Sequence, residues 1–264
     1  NAGTRFPLLR MLKMLSASRR QLPSFIIIGG QKCATTSLYD YICKHPSVVS
    51  AEIKEIHYFD LRYKMSDCWY RSNFPFKRGG MITGESTPSL IWSTPSLPRI
   101  KKLLPSAKIM AVLRDPAERA ISHYYHNVRQ GRETRPIAKA MFAPESLRSA
   151  KGLKLGSAEY LESLRFGYIS KSRYDEQIKQ WSHYYKLEDS LYLPFSGVTQ
   201  IDGVTRQTVF EFLGLPDHEI PVMSRQNIGV PKQPDEVANI TARLHDALSE
   251  SRQATLSMLN WEKF

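Results

Sequence analysis

The segment Phe25-Ile26-Ile27-Ile28-Gly29-Gly30-Gln31-Lys32-Cys33-Ala34-Thr35-Thr36-Ser37 constrains the fold of this chain more than any other. Its apolar run, stopped by two glycines, reads as a buried strand. The hydroxyl-rich run beyond reads as the opening of a helix. A strand that passes through a glycine turn into a helix aims a row of backbone N–H groups, and the positive end of a helix dipole, at one place. That place suits a phosphate or sulfate group.

The rest of the chain repeats the strand-then-helix order. Lys108–Leu113 and Ser190–Leu193 read as strands, and Met81–Gly84 as a short one. Helices are expected over Thr36–Lys44, Pro98–Leu104, Tyr174–Tyr185 and Thr205–Leu213, the last closed by Gly214. Asp115-Pro116 reads as an N-cap with proline at the first helical position, opening a helix to about Arg129, and Pro234 opens another. Arg132–Lys154 lacks a clear period and reads as a variable loop region. Strands alternating with helices imply a parallel sheet covered on both faces, and 264 residues suffice for one such core. The expected fold is α/β: a single domain with a central parallel sheet flanked by helices and a P-loop-like nucleotide-binding core, over residues 23–264. Residues 1–22 set Arg5, Arg10, Lys13, Arg19 and Arg20 among Leu8, Leu9, Leu12 and Leu15. They read as a basic N-terminal arm, either an amphipathic surface helix or the remnant of a stem.

The phosphate loop is of an uncommon kind. The nucleoside-triphosphatase pattern G-x-x-x-x-G-K-[ST] places its lysine directly before the hydroxyl that holds magnesium, whereas Lys32 is followed by Cys33 and Ala34. The dinucleotide pattern G-x-G-x-x-G finds only Gly29 and Gly30. A net charge of +12 favours a polyanionic partner: a sulfated glycan, a nucleic acid or an anionic membrane face. Three cysteines, Cys33, Cys43 and Cys68, do not make a disulfide framework, and no His/Cys/Asp/Glu cluster has metal-ligand spacing.

The loop has company. His45-Pro46, Lys54-Glu55-Ile56-His57-Tyr58-Phe59-Asp60, Gly84-Glu85-Ser86-Thr87-Pro88 and Arg114-Asp115-Pro116-Ala117-Glu118-Arg119-Ala120-Ile121-Ser122 follow it in order. With the loop, these blocks resemble the sulfotransferases that use 3′-phosphoadenosine 5′-phosphosulfate, above all the Golgi glycan enzymes of the heparan sulfate N- and 3-O-type and their bacterial relatives. The resemblance implies that donor, no metal, and transfer to a hydroxyl, or less readily an amine, of a glycan of anionic character rather than to a nucleic acid; the alternatives are a small alcohol or phenol as acceptor, or a nucleotide- or polyanion-binding module without catalysis. It also implies the Golgi lumen, with a membrane anchor ahead of Asn1, or the cytoplasm if the chain is bacterial.

Sulfuryl transfer needs the charge on the bridging oxygen held, the acceptor positioned and its proton removed. By the resemblance Lys32 is the charge holder, and Cys33, Ala34, Thr35, Thr36 and Ser37 cradle the 5′-phosphate. Arg114 and Ser122 take the 3′-phosphate. Glu55 occupies the place of the family's general base, with His57 as its rival because imidazole titrates near neutrality. Tyr174, in Ser172-Arg173-Tyr174, lies by the nucleotide, and Arg225, Asn227 and Lys232 belong to a late basic loop over the 3′-phosphate and adenine. Ser86 stands where the 3-O-type enzymes often carry a second catalytic lysine, for which Lys54 or Lys232 are the replacements on offer.

Overall fold

Four parallel strands in the order β2-β1-β3-β4 form the centre of the computed structural model, which describes residues 7–220 and 234–264. They are β1 (Phe25–Gly29), β2 (Gly84–Ser86), β3 (Lys108–Leu113) and β4 (Ser190–Pro194). Phe25 is level with Gly84 on one side and Lys108 on the other, and Ile109 is level with Ser190. Every residue of β1 is buried, as a strand with neighbours on both edges and helices on both faces must be.

The strict alternation of side chains splits the core in two. Ile26 and Ile28 of β1, with Ile109, Ala111 and Leu113 of β3, face one layer. Phe25, Ile27, Met110 and Val112 face the other. The first layer is covered by α4 (Leu97–Leu103) and α9 (Tyr174–Ser182), the second by α2 (Thr35–Ile42) and α11 (Gly203–Leu213). α5 (Pro116–Arg129) carries a separate cluster with the long α12 (Pro234–Leu259). The remaining helices are α1 (Pro7–Leu15), α3 (Asp67–Arg71), α6 (Ile137–Met141), α7 (Pro144–Leu147), α8 (Ala158–Phe166) and α10 (Phe195–Thr199).

The capping chemistry is as expected. Asp115 Oδ1 accepts from the N–H groups of Ala117 and Glu118 at 3.0 and 3.2 Å and fixes the start of α5. Gly214, at φ +72°, ends α11 in the left-handed conformation.

Three expectations need correction. The short strand is Gly84–Ser86, not Met81–Gly84, because pairing with β1 begins only where Gly84 comes level with Phe25. Helix α2 starts at Thr35 and closes at Ile42, where bonds from Lys44 and His45 to Tyr41 and Ile42 tighten the chain ahead of Pro46. Arg132–Lys154 is not simply loop: it holds α6 and α7, with Ile137, Ala140 and Met141 buried and Arg135 bridging Glu133 and Glu145. Helices of four and five residues are too short to display a period. Arg225, Asn227 and Lys232 lie outside the described residues.

Gly29 shows how tightly β1 is packed. A Cβ there would lie 2.4 Å from Ile91 Cγ2 and 3.2 Å from the Pro88 carbonyl oxygen. Gly29→Ala should therefore destabilise the fold by about 1–3 kcal/mol, as overpacking of a full core does. Urea denaturation measures this, and an unchanged midpoint would mean that the two layers yield more easily than the distances imply.

Candidate functional site

The carboxyl ends of β1 and β3 lie side by side, the usual place for a ligand in an open parallel sheet. The turn leaving β1 is held there by backbone bonds. The Gly30 N–H donates to the Val112 carbonyl of β3 at 2.6 Å, and the Cys33 N–H closes onto the Gly30 carbonyl at 3.1 Å. Lys32 and Ala34 take φ of +71° and +62°, a conformation that costs a non-glycine residue of order 1 kcal/mol or more. The turn then enters α2, whose first bond runs from the Leu38 N–H to the Ala34 carbonyl. Among the described residues the backbone N–H groups of Ala34, Thr35, Thr36 and Ser37 have no acceptor. Four donors at the positive end of a helix dipole, shaped by two left-handed residues, form an anion cradle.

Two of the residues assigned to the nucleotide support the cradle from beneath. Cys33 is fully buried, with Sγ 3.8 Å from the Tyr174 hydroxyl, and burial pushes its thiol pKa up. With its N–H bonded to the Gly30 carbonyl, Cys33 shapes the cradle and adds no donor to it. Tyr174 is fully buried as well, its ring set between Cys33 and Phe264.

Positive charge surrounds the turn. Lys32 is half-buried and has no ion-pair partner among the described residues; burial lowers its pKa, and Arg129 and Arg114 lower it further. Arg114 leaves the end of β3 over the Phe195 ring, at 4.7 Å, and donates to Glu118 Oε2 at 3.0 and 2.8 Å. Ser122 follows on α5, half-buried. Two cations that the sequence reading did not single out lie behind the turn. Lys171 is 3% exposed, donates to Gln31 Oε1 at 3.0 Å, and is brought down to about 7 by burial, with Arg119 adding to the effect. Arg119 is fully buried and donates to Ser172 Oγ and to the Tyr168 carbonyl. His126 is held neutral, at about 4, by burial and by Lys32, Arg129 and Arg132.

A chain of acid and base groups faces this charge. Glu55 is about half exposed, with Oε2 3.5 Å from His57 Nε2. His57, at φ +53°, meets Asp60 Oδ2 through Nδ1 at 3.0 Å. Asp60 is fully buried and also accepts from Ser89 Oγ at 2.5 Å and from the Leu61 N–H at 2.7 Å. Burial opposes a charged ring at His57, but Asp60 and Glu55 outweigh it and raise its pKa to about 9. His57 is thus an imidazolium at neutral pH with both nitrogens engaged. Its Nδ1 faces Asp60 and its Nε2 faces Glu55, so the ring links the two carboxylates. Glu55 and Lys32 lie within electrostatic reach of one another. Lys54, offered for the absent lysine, turns its ammonium to Asp40 at 3.3 Å, while its carbonyl accepts from the Ser86 N–H.

Glu85 stands apart from this chain. It is fully buried beside Tyr70, and burial pushes its pKa to about 8. It is therefore the neutral acid at pH 7. Since the folded state holds this proton and the unfolded chain releases it above 4.5, stability falls as pH rises from about 4.5 to about 8. Glu85→Gln keeps the shape and removes the titration. The variant should show a flatter fall in unfolding free energy between pH 5 and pH 8 than the parent, by a few kcal/mol. Parallel curves for the two proteins would mean that Glu85 is ionised in the fold.

Comparison with known proteins agrees with this arrangement. Residues 22–234 match the family described as the sulfotransferase domain. The chain is 30% identical over 204 residues to heparan sulfate glucosamine 3-O-sulfotransferase 3A1 of Mus musculus, covering 76% of this chain and 48% of that protein. It is 30% identical over 211 residues to heparan sulfate glucosamine 3-O-sulfotransferase 5 of Homo sapiens, covering 79% and 57%. A shorter match, 37% identical over 110 residues, covers 40% of this chain and 23% of membrane-associated sulfotransferase kil1 of Dictyostelium discoideum. The chain thus spans about half the length, or less, of these curated relatives. The crystal structure of a sulfotransferase from Alicyclobacillus acidocaldarius superposes with a TM-score of 0.73 at 22% identity, over 92% of this chain and 97% of that one, a likeness of fold. With the family match running from Leu22 through the cradle, the Glu55 segment and Arg114, the chain belongs to the sulfotransferase domain family.

Proposed function

We propose that this protein transfers the sulfuryl group of 3′-phosphoadenosine 5′-phosphosulfate to a hydroxyl of an anionic glycan, with Glu55 as general base. The observation that carries this reading is the chain Ser89–Asp60–His57–Glu55 ending within reach of Lys32 at the anion cradle.

The residues suit the donor. The free N–H groups of 34–37, with the hydroxyls of Thr35, Thr36 and Ser37, offer donors to a 5′-phosphate. Arg114 and Ser122 offer a guanidinium and a hydroxyl to a 3′-phosphate, Glu118 giving up its hold on Arg114. Lys32 holds the charge that grows on the bridging oxygen as its bond to sulfur breaks. Glu55 takes the proton of the acceptor hydroxyl as the new oxygen–sulfur bond forms in line. His57, 3.5 Å from Glu55 Oε2, holds that carboxylate in place, and buried Asp60 raises the pKa of His57. The glycan acceptor rests on the named relatives and on the net charge of +12, to which an acidic polysaccharide is drawn. The same reading carries the Golgi lumen as the place of action, or the cytoplasm of a bacterium.

Glu55→Gln should lower kcat about 10²- to 10⁴-fold, the usual worth of a positioned base, and leave the affinity for 3′-phosphoadenosine 5′-phosphate unchanged. Turnover of heparan sulfate with isotope-labelled donor, beside calorimetric nucleotide binding, measures both. Full activity in the variant would remove Glu55 as base, and no turnover of any glycan by the parent would remove the acceptor.

Arg114→Ala should weaken 3′-phosphoadenosine 5′-phosphate by about tenfold to a hundredfold, the worth of a charge-assisted bond, and barely change adenosine 5′-phosphate. Equal loss for both nucleotides would mean that Arg114 does not meet the 3′-phosphate.

A further inference from the structure

Helix α1 is set on the protein with its polar side inward. The Arg10 guanidinium lies over the Trp69 ring at 4.7 Å and donates to Asn73 Oδ1 at 2.9 Å. Lys13 Nζ meets Glu52 Oε2 at 2.6 Å. Four of its apolar residues are turned to solvent instead: Leu9, Met11, Leu12 and Leu15 are 49%, 58%, 54% and 77% exposed, while Met14 is half-buried. A helix that docked for the sake of the core would do the reverse.

Arg20 ties the end of α1 to a neighbouring turn, its Nε donating to the Lys13 carbonyl and Ser16 Oγ and its guanidinium lying over the Phe76 ring at 4.5 Å. Arg20, beyond the end of α1, forms a bridge with Phe76 and donates to the Phe74 carbonyl, and the Lys77 N–H donates to the Arg19 carbonyl. Phe76, itself 50% exposed, is followed by exposed Lys77 and Arg78, with Arg19 exposed beside them. The result is an apolar strip edged by cations. Glu52, an acid on this side, is held by Lys13.

We propose that α1 and the Phe76–Arg78 turn form a surface that lies on an anionic lipid bilayer, with the leucines of α1 in the headgroup layer and Arg19, Lys77 and Arg78 on the lipid phosphates. The cationic edge decides the occupant. A second copy would bring like charges together in a protein of net charge +12, whereas an anionic membrane attracts both the strip and its rim. The surface is separate from the anion cradle and does not depend on the reaction proposed above.

The test is co-sedimentation of the full chain with vesicles of phosphatidylcholine alone and of phosphatidylcholine with added phosphatidylglycerol. Binding is expected only to the second, weakening as salt is raised. Leu12→Ser with Leu15→Ser should reduce partitioning roughly tenfold or more, with the melting temperature unchanged because both side chains are already in solvent. Lys77→Glu with Arg78→Glu should reduce it as well, through the charge alone. Failure to bind the anionic vesicles, or binding that ignores the leucine substitutions, would overturn the proposal. So would light scattering that shows a dimer abolished by the leucine substitutions, since the strip would then cover a second copy.

Discussion

The bond from the Gly30 N–H to the Val112 carbonyl is the constraint on which the site depends. It extends the pairing of β1 with β3 by one residue past the sheet, so the anion cradle is positioned by the most buried part of the molecule rather than by a surface loop. The same step places Arg114, which ends β3, beside the turn that ends β1. Gly29 is required because a Cβ there would lie 2.4 Å from Ile91, whereas one at Gly30 would sit 3.0 Å from Cys33 Sγ, a tight contact. The sheet's other contribution comes from β2. The segment after it returns Ser89 to Asp60, and the Ser86 N–H holds the Lys54 carbonyl. Glu55 is thereby held from two sides, through Asp60 and His57 and through the Lys54 backbone.

The charge distribution around the cradle is costly by itself. Arg119 and Lys171 are buried cations without a carboxylate partner among the described residues, and taking charges out of water is unfavourable unless something answers them. Neutral acceptors do part of this: Ser172, the Tyr168 carbonyl and Gln31. Lys171 does the rest by releasing its proton near pH 7. The outcome is a positive field behind an open row of N–H donors. A multiply charged anion there relieves repulsion among Lys32, Arg114 and Arg129, so its binding adds to fold stability by mass action.

Three of the four strands, β1, β3 and β4, and the caps were legible because they are local. Phe25–Gly29 and Lys108–Leu113 are continuous apolar runs, and Asp115-Pro116 and Gly214 do in the structure what their chemistry dictates. The cradle could be read from its glycines, its lysine and its hydroxyls. What could not be read was long-range. The setting of His57 comes from Asp60 and Glu55 and from its own left-handed backbone, so the rise of its pKa to about 9 does not show in the sequence. Lys171 is far from the cradle in sequence, and no pattern marks it as the partner of Gln31. Glu85 lies inside a block that the sequence reading quoted, yet its protonation follows from complete burial, which a single sequence does not display. The α1 helix was expected to be amphipathic, but which face points inward depends on Trp69, Asn73 and Glu52.

Ser86 makes the electrostatic geometry of the site asymmetric. By the alternation of β2, Glu85 is level with Ile26 and turns to Tyr70 in one layer, while Ser86 is level with Ile27 on the α2 side of the sheet. A lysine at 86 would bring positive charge to the cradle from the end of β2. Here the hydroxyl is fully buried, and Lys54, the basic residue bonded to it through the backbone, sends its ammonium to Asp40. Among the charged groups that perturb Lys32, the cation with the largest effect is Arg129, from the far end of α5, ahead of Arg114 at its start. Positive charge therefore reaches the anion cradle from the α5 side, while Glu55 and His57 are tied through Asp60 and Lys54 to the segment of β2. On the mechanism proposed above, an acceptor approaching between them would meet cations on one side and Glu55 on the other, an arrangement that orients an anion before any bond is made.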